Sequence, residues 1–326
     1  MQTVEDGALA TATLDLAEHR EFERLARTLL PLYGGKVDSP AWVAATRQAW
    51  EDSPIGLRRS LREFRRHSGE GGALLVRNLP VDVENLPDTP VEDGSVLREA
   101  TVSAAVLMLI AHGLGDPAAF RPEKTGALVQ NVVPVPGKEK FQGNAGSVRL
   151  TFHTENAFHA HRPDFVMLLC VRPDHERIAE LRTVCSRQVL PKLSESALAT
   201  LRSPQFVTEA PPSFGEGAGR AEPHPVLPGN LDDPDLRIDE AATRPVTGEA
   251  AEAMAELSGL FEASFSRIRL RAGDLAIVDN RVTVHGRSAF TPRYDGRDRW
   301  LQRTHVLADF RRSRDFRTND GYVLEK

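Results

Sequence analysis

Cysteine is almost absent from this sequence: Cys170 and Cys185 are the two it has in 326 residues. They do not make a disulfide framework, and a chain this long can bury a core without staples. Aromatics are scarce as well, 20 in all (Phe 14, Trp 3, Tyr 3), so the core is expected to be mostly aliphatic. Neither sign of charge dominates. Lys+Arg 41 against Asp+Glu 46 leaves a net charge of −5, which lacks the basic footprint of a general nucleic-acid binder. The most apolar run, Val102 to Ala111, falls far short of the roughly 20 residues that cross a bilayer. The opening residues Met1-Gln2-Thr3-Val4-Glu5-Asp6 have no basic n-region and no apolar h-region, so the expectation is a soluble cytoplasmic protein.

What is present divides by texture. The first third reads as helical: Asp15 to Leu32, Trp42 to Trp50 and Ile55 to Phe64 carry apolar residues near helical spacing, each with a proline at one end. Ala73–Val76 is a buried-strand signal, and Ser95 to Leu114 is the strongest helix, with Ser95 as N-cap. From about residue 125 short β-rich runs follow: Ala127–Val133, Val148–Glu155, Asp164–Val171 and Arg182–Ser186. Gln188 to Leu201 and Glu249 to Arg267 read as helices, and strands are expected at Ile268–Arg271, Leu275–Val278, Val282–Val284 and Trp300–Phe310. Residues 203–250, rich in Pro, Gly (Gly215 to Gly219) and acidic residues, form a lid-like insertion. Helices followed by many short strands predict a mainly β fold, a jelly roll or sandwich braced by helices. It is expected as a single domain over 1–326, with a helical layer to about 115, a core at about 125–202 and 265–310, and a lid at about 203–250.

The chemistry concentrates in a few residues. In Val148 to Glu155, His153 and Glu155 are two apart, so on a strand both leave the same face. An imidazole and a carboxylate there are two corners of a metal site. His285, delivered by the apolar strand after Gly273 and followed by Gly286, is the best third ligand. Two histidines and a carboxylate form the facial triad of non-haem iron(II) oxygenases; zinc with the same ligands would give a hydrolase instead. Alternation in Arg299-Trp300-Leu301-Gln302-Arg303 sends Arg299 and Arg303 to one face. Two buried guanidinia are costly unless anions meet them, and a guanidinium grips a carboxylate in a bidentate fork. A metal site followed by two carboxylate receptors points to one pocket for two carboxylated small molecules. The bland alternative is a pair of structural salt bridges or an outward-facing stripe, and a non-catalytic binding protein would keep the arginines without turnover.

Together, His153-Thr154-Glu155-Asn156-Ala157-Phe158-His159, the long gap to His285, and arginines 14 and 18 residues after it resemble the clavaminate synthase-like branch of the iron(II)/2-oxoglutarate oxygenases. The resemblance runs from roughly Gly71 to Phe310 and is nearest to the free-amino-acid hydroxylases of that branch, which act on asparagine or arginine in peptide-antibiotic biosynthesis. It implies a double-stranded β-helix core, Fe(II) as cofactor, and 2-oxoglutarate and dioxygen as co-substrates. It implies that His153, Glu155 and His285 hold the iron, and that Arg299, with Thr183 as a weaker contact, binds the distal carboxylate of 2-oxoglutarate. Arg303 would hold the α-carboxylate of the amino acid and Glu123 its α-amino group. Asn144 and Asp239 would be further substrate contacts, Asp239 reading the side-chain tip. The implied reaction is β-hydroxylation of a free L-amino acid by a monomer or homodimer, with γ-hydroxylation, desaturation or a carrier-bound substrate as alternatives. The arginine hydroxylases lead one to expect a second lid acid two residues before Asp239, but Arg237 stands there, which favours a neutral amide. His159, His161 and His305 are expected to support the site. His19, His67, His112, His175 and His224 are expected at the surface or in caps, Cys170 in the packing, and Arg311-Arg312-Ser313-Arg314 in a solvated tail.

Overall fold

The computed structural model describes residues 3–6, 9–211, 214 and 221–325. Helix α1 (Leu16–Leu29) begins at Asp15, whose carboxylate accepts from the Ala17 and Glu18 N–H groups while Glu18 reaches back to the Asp15 N–H. That reciprocal cap fixes where the helix starts. Helices α2 (Pro40–Ala49) and α3 (Ile55–Arg66) follow, and all three wrap α4 (Val102–Leu114). Helix α4 is apolar on every side and almost wholly buried, the pattern of a helix enclosed by its neighbours rather than laid on a surface.

Behind α4 lies a sheet of ten strands. In spatial order they are β1 (Thr3–Asp6), β2 (Leu9–Thr13), β3 (Ala73–Arg77), β13 (Leu275–Asp279), β8 (Phe165–Arg172), β15 (Trp300–Leu307), β5 (Asp116–Phe120) and β16 (Val323–Leu324); β6 (Val129–Val132) pairs with β15 and with β4 (Val96–Leu97). A second sheet runs β12 (Ser266–Ile268), β9 (Leu181–Cys185), β14 (Thr283–Arg287), β7 (Leu150–His153). Side chains alternate across each strand. Leu74, Val76, Met167, Leu169 and Ile277 of the large sheet therefore meet α4, while Leu75, Leu168, Cys170, Ala276 and Leu301 face inward onto Leu181 and Ile268 of the second sheet. The outer face of the second sheet, Phe152, Val184 and Val284, packs on α6 (Glu195–Leu201) and α7 (Gly248–Ser264). A short α5 (Ser186–Val189) and the pair β10 (Phe206–Thr208) and β11 (Thr243–Pro245) complete the described elements.

Several sequence expectations are corrected. The helix expected from Ser95 starts at Val102, because Thr101 supplies the cap by accepting from the Ala104 N–H, while Val96 and Leu97 pair with β6. Gln188–Leu201 is not continuous: Pro191 cannot extend a helix, and Ser194 caps a new one. The helix read as Glu249–Arg267 stops at Ser264, and Ser266–Ile268 pair with β9, so the strand read as Ile268–Arg271 lies earlier. Strand β7 ends at His153, short of Glu155. The supposed tail is followed by β16, which pairs with β5. β2, which runs parallel to β3, was not legible. His224 is buried, hydrogen-bonded to Thr208 and to the Pro225 carbonyl, so it is not a surface residue; His112, half-buried in the last turn of α4, bonds Thr46. The segment read as a lid runs between α6 and α7, and its Gly215 to Gly219 lie outside the described residues. Among the described residues no helix is long and apolar enough to cross a membrane.

Candidate active site

His285 on β14 lies opposite His153 on β7 and opposite Thr183 on β9, so one row across the second sheet presents all three to the interior. The backbones of β14 and β7 approach closely because Gly286 has no side chain; a Cβ there would stand 2.6 Å from the Leu150 carbonyl oxygen. The imidazoles face each other with ring centroids 4.3 Å apart. His153 donates from Nδ1 to the Thr151 carbonyl (3.0 Å), which leaves its Nε2 lone pair aimed inward.

Glu155 reaches the same point by another route. Past the end of β7 its N–H donates to the Asn280 side-chain oxygen (2.7 Å), and the Asn280 amide donates back to the Glu155 and Pro163 carbonyls. Glu155 is thus held by the β13–β14 turn, not by a sheet ladder. Its Oε2 is 3.8 Å from His285 Nε2, and one ligand atom from each of His153, Glu155 and His285 lies within 4.8 Å of the others. Two imidazole nitrogens and a carboxylate at that spacing fit a divalent transition ion. Burial pushes the Glu155 carboxyl up, but Arg303, with His305, His153 and His285, outweighs it and holds the group well below the usual carboxylate range. Burial, helped by His153, pushes His285 down to about 3, so its ring is neutral and free to ligate.

Arg303, inward on β15, is the hub of the charged groups. It donates to Glu155 (2.9 Å), to Glu123, and through Nε to Gln130 (3.1 Å) on β6. With its amide oxygen turned inward, Asn144 accepts from both terminal nitrogens at 3.1 and 3.2 Å. The second oxygen of Glu123 is buried with no donor among the described residues. Arg299, which directly precedes β15, is buried and forms no hydrogen bond or ion pair with a described residue; its guanidinium lies 5.6 Å from the Phe290 ring centroid. Arg299 thus sits away from the Arg303 hub.

Asp239, in the insertion, forms a backbone bridge to His153, and its carboxylate accepts from the Ala241 (2.8 Å) and Ala242 (3.2 Å) N–H groups. Arg237 turns away: it donates to the carbonyls of Ala157 (2.6 Å) and Phe158 (3.1 Å), fastening the insertion to the loop after Glu155. Glu123, Asn144, His153, Glu155, Asp239 and Arg303 line one cavity of about 260 Å³. His305, on the same inward row as Arg303, has both ring nitrogens buried without a described partner and packs on Phe120. His161 donates its N–H to His159 in the loop after Glu155. Cys170 is buried in the packing, its thiol pushed up to about 12 by burial, which excludes it as a nucleophile.

Residues 44–305 match the family described as Taurine catabolism dioxygenase TauD, TfdA family. The chain is 59% identical over 312 residues to the L-asparagine oxygenase of Streptomyces coelicolor, covering 96% of this chain and 94% of that one. It is 35% identical over 260 residues to clavaminate synthase 2 of Streptomyces clavuligerus, covering 78% and 80%. A crystal structure of asparagine oxygenase with Fe(II), (2S,3S)-3-hydroxyasparagine and succinate superposes with a TM-score of 0.95 at 58% identity, covering 97% of this chain and 99% of that one. The protein belongs to the TauD/TfdA dioxygenase family, on its clavaminate synthase-like side. It is an iron(II)- and 2-oxoglutarate-dependent dioxygenase.

Sequence reasoning missed Gln130 and the structural part played by Asn280. Gln130-Asn131 was a polar pair inside an otherwise apolar strand, a signal of polar work in a buried place. Asn280 carries no sequence signal of its own; its bonds span 125 and 117 positions of sequence, which no local pattern reveals.

Proposed function

We propose that this dioxygenase hydroxylates the β-carbon of free L-asparagine. The observation that carries the reading is the cavity: at about 260 Å³ it lies under the ~300–1,000 Å³ of drug-sized sites, and of the two insertion acids in its lining Asp239 is the one bridged to His153, Glu209 being exposed and Arg237 turned out of the cavity. A single carboxylate suits an amide N–H₂, whereas a guanidinium or ammonium tip calls for more negative charge. The 59% identity to an L-asparagine oxygenase, and the hydroxyasparagine bound in the similar crystal structure, support the same choice.

In this reading His153, Glu155 and His285 hold iron(II), which with 2-oxoglutarate and dioxygen supplies the oxidising power to hydroxylate a C–H bond, yielding succinate and CO₂. The chain's own part is placement. Arg303 and Asn144 receive the substrate's α-carboxylate, and the free oxygen of Glu123 receives its ammonium. Glu123, Glu155 and Arg303 sum to one negative charge, so a zwitterion brings a cation to Glu123 without stranding a buried charge. Asp239 accepts from the side-chain amide, and the insertion excludes water. Arg299 and Thr183 hold the distal carboxylate of 2-oxoglutarate. We read the two facing sheets as a jelly roll, the enzyme as cytoplasmic with both cysteines free, and its setting as peptide-antibiotic biosynthesis by a monomer or homodimer.

The test is a succinate-release screen over the twenty L-amino acids plus ornithine and citrulline, with the product position assigned by NMR. L-Asparagine is expected to give the highest kcat/KM, with one 3-hydroxyasparagine formed per succinate. A faster basic amino acid, or no response from any free amino acid, overturns the proposal.

A further inference from the structure

Arg287 has no role in the reading above, yet it is a second buried cation beside Arg299. It lies on β14 two residues beyond His285, on the same inward face, about 7 Å further along the strand. Both side chains are buried, with residue exposures of 5% for Arg287 and 7% for Arg299. Both guanidinia lie against the same Phe290 ring, at 5.3 and 5.6 Å from its centroid. Arg287 donates to one acceptor, the Val148 carbonyl at 3.0 Å, and its Nε–H is buried without a partner. Among the described residues neither arginine forms an ion pair. The carboxylate that acts on Arg299 is that of Asp174, which is occupied by the Ile178 and Ala179 N–H groups.

Two like charges held out of water against one ring are costly unless an anion joins them. His285 is two residues away on β14, within reach of a five-carbon diacid whose keto-acid end would lie at the ligand cluster. We propose that Arg287 and Arg299 together clamp the distal carboxylate of 2-oxoglutarate, Arg287 being a second co-substrate-binding residue. A carboxylate has about four acceptor sites, enough for two guanidinia. The inference rests on the assignment of Arg299 to that carboxylate.

The experiment measures 2-oxoglutarate binding by anaerobic calorimetry on the Fe(II)-loaded protein without amino acid, so no turnover is involved. Arg287→Gln and Arg287→Met are compared with wild type, and 2-oxobutyrate, which lacks the distal carboxylate, is the control ligand. The expected result is a Kd for 2-oxoglutarate raised tenfold or more in both variants, with 2-oxobutyrate affinity unchanged and KM for L-asparagine within twofold. Arg287→Met also removes an unpaired buried charge, so its ligand-free Tm should hold or rise while the Tm increase caused by 2-oxoglutarate shrinks. An unchanged Kd in either folded variant, or equal weakening of both keto acids, overturns the inference and leaves Arg287 as a tie to Val148. Arg299→Gln separates the two claims. If it raises the Kd and the Arg287 variants do not, the clamp alone fails; if it does not, the parent assignment fails too.

Discussion

Arg303 serves four neighbours at once, and this concentration of charge sets what can be tested at single residues. Removing Glu123 leaves the Arg303 guanidinium with Glu155, Gln130 and Asn144, so β15 keeps a partnered cation while the free carboxylate oxygen is lost. Glu123→Gln should therefore raise KM for the amino acid by tenfold or more, about 1.4 kcal/mol, and leave KM for 2-oxoglutarate within twofold. Steady-state kinetics with each substrate varied in turn checks the split; a rise confined to 2-oxoglutarate would move Glu123 to the other ligand. His153→Ala should abolish Fe(II) binding, measured by metal titration, because two remaining ligands hold an ion far more weakly. Retained stoichiometric iron would remove His153 from the triad. Residue types were legible here because metal ligands and buried arginines are rare and costly. Partners such as Asn280 were not, since a neutral amide in a turn has many ordinary uses.

At the scale of elements, the convergence of His153 and His285 depends on how closely β7 and β14 run. A Cβ at Gly286 would lie 2.6 Å from the Leu150 carbonyl and 3.2 Å from that of Thr151, backbone atoms that cannot rotate aside. Gly286→Ala should push β7 outward, cost about 1–3 kcal/mol of stability, and weaken Fe(II) binding at least tenfold though no ligand is changed. Urea denaturation and metal titration give the two numbers, and wild-type iron affinity in the variant would show that strand spacing does not set the site. The sequence showed the glycine and its neighbour His285, but the opposing residue His153 lies far back in the chain, and pairing of that range has no local signature. The same limit hid β2, whose partner β3 lies more than 60 residues on. Helices α2 and α3 were legible because periodicity and flanking prolines are local. The start of α4 was not, because Val96 and Leu97 pair with β6 and the cap lies at Thr101, six residues after the other cap-forming residue, Ser95.

For the whole molecule, the buried histidines outside the site make stability fall on the acid side. His112, at the end of α4, is pushed down to about 4 by burial first and the nearby Arg47 second, and it bonds Thr46 at 3.1 Å. The folded chain therefore keeps His112 neutral where the unfolded chain, near its ordinary 6.5, takes up a proton. Between pH 6.5 and about 4 the unfolded state binds more protons, so stability declines as pH falls, by up to about 3 kcal/mol from this group, and no further below 4. Burial of His224, also pushed down to about 4, adds in the same sense. Asp274 and Asp279 act oppositely: burial raises both, so the fold takes their protons before the unfolded chain does and regains stability as pH falls through their folded values. The total pH profile mixes these signs, and a difference between two proteins isolates one group. Urea midpoints of wild type and His112→Gln, measured at intervals from pH 7.5 to 4, should diverge in the interval below 6.5, the variant losing less stability on acidification. Parallel profiles across that interval would mean that His112 is protonated in the fold, and that the packing around α4 admits charge.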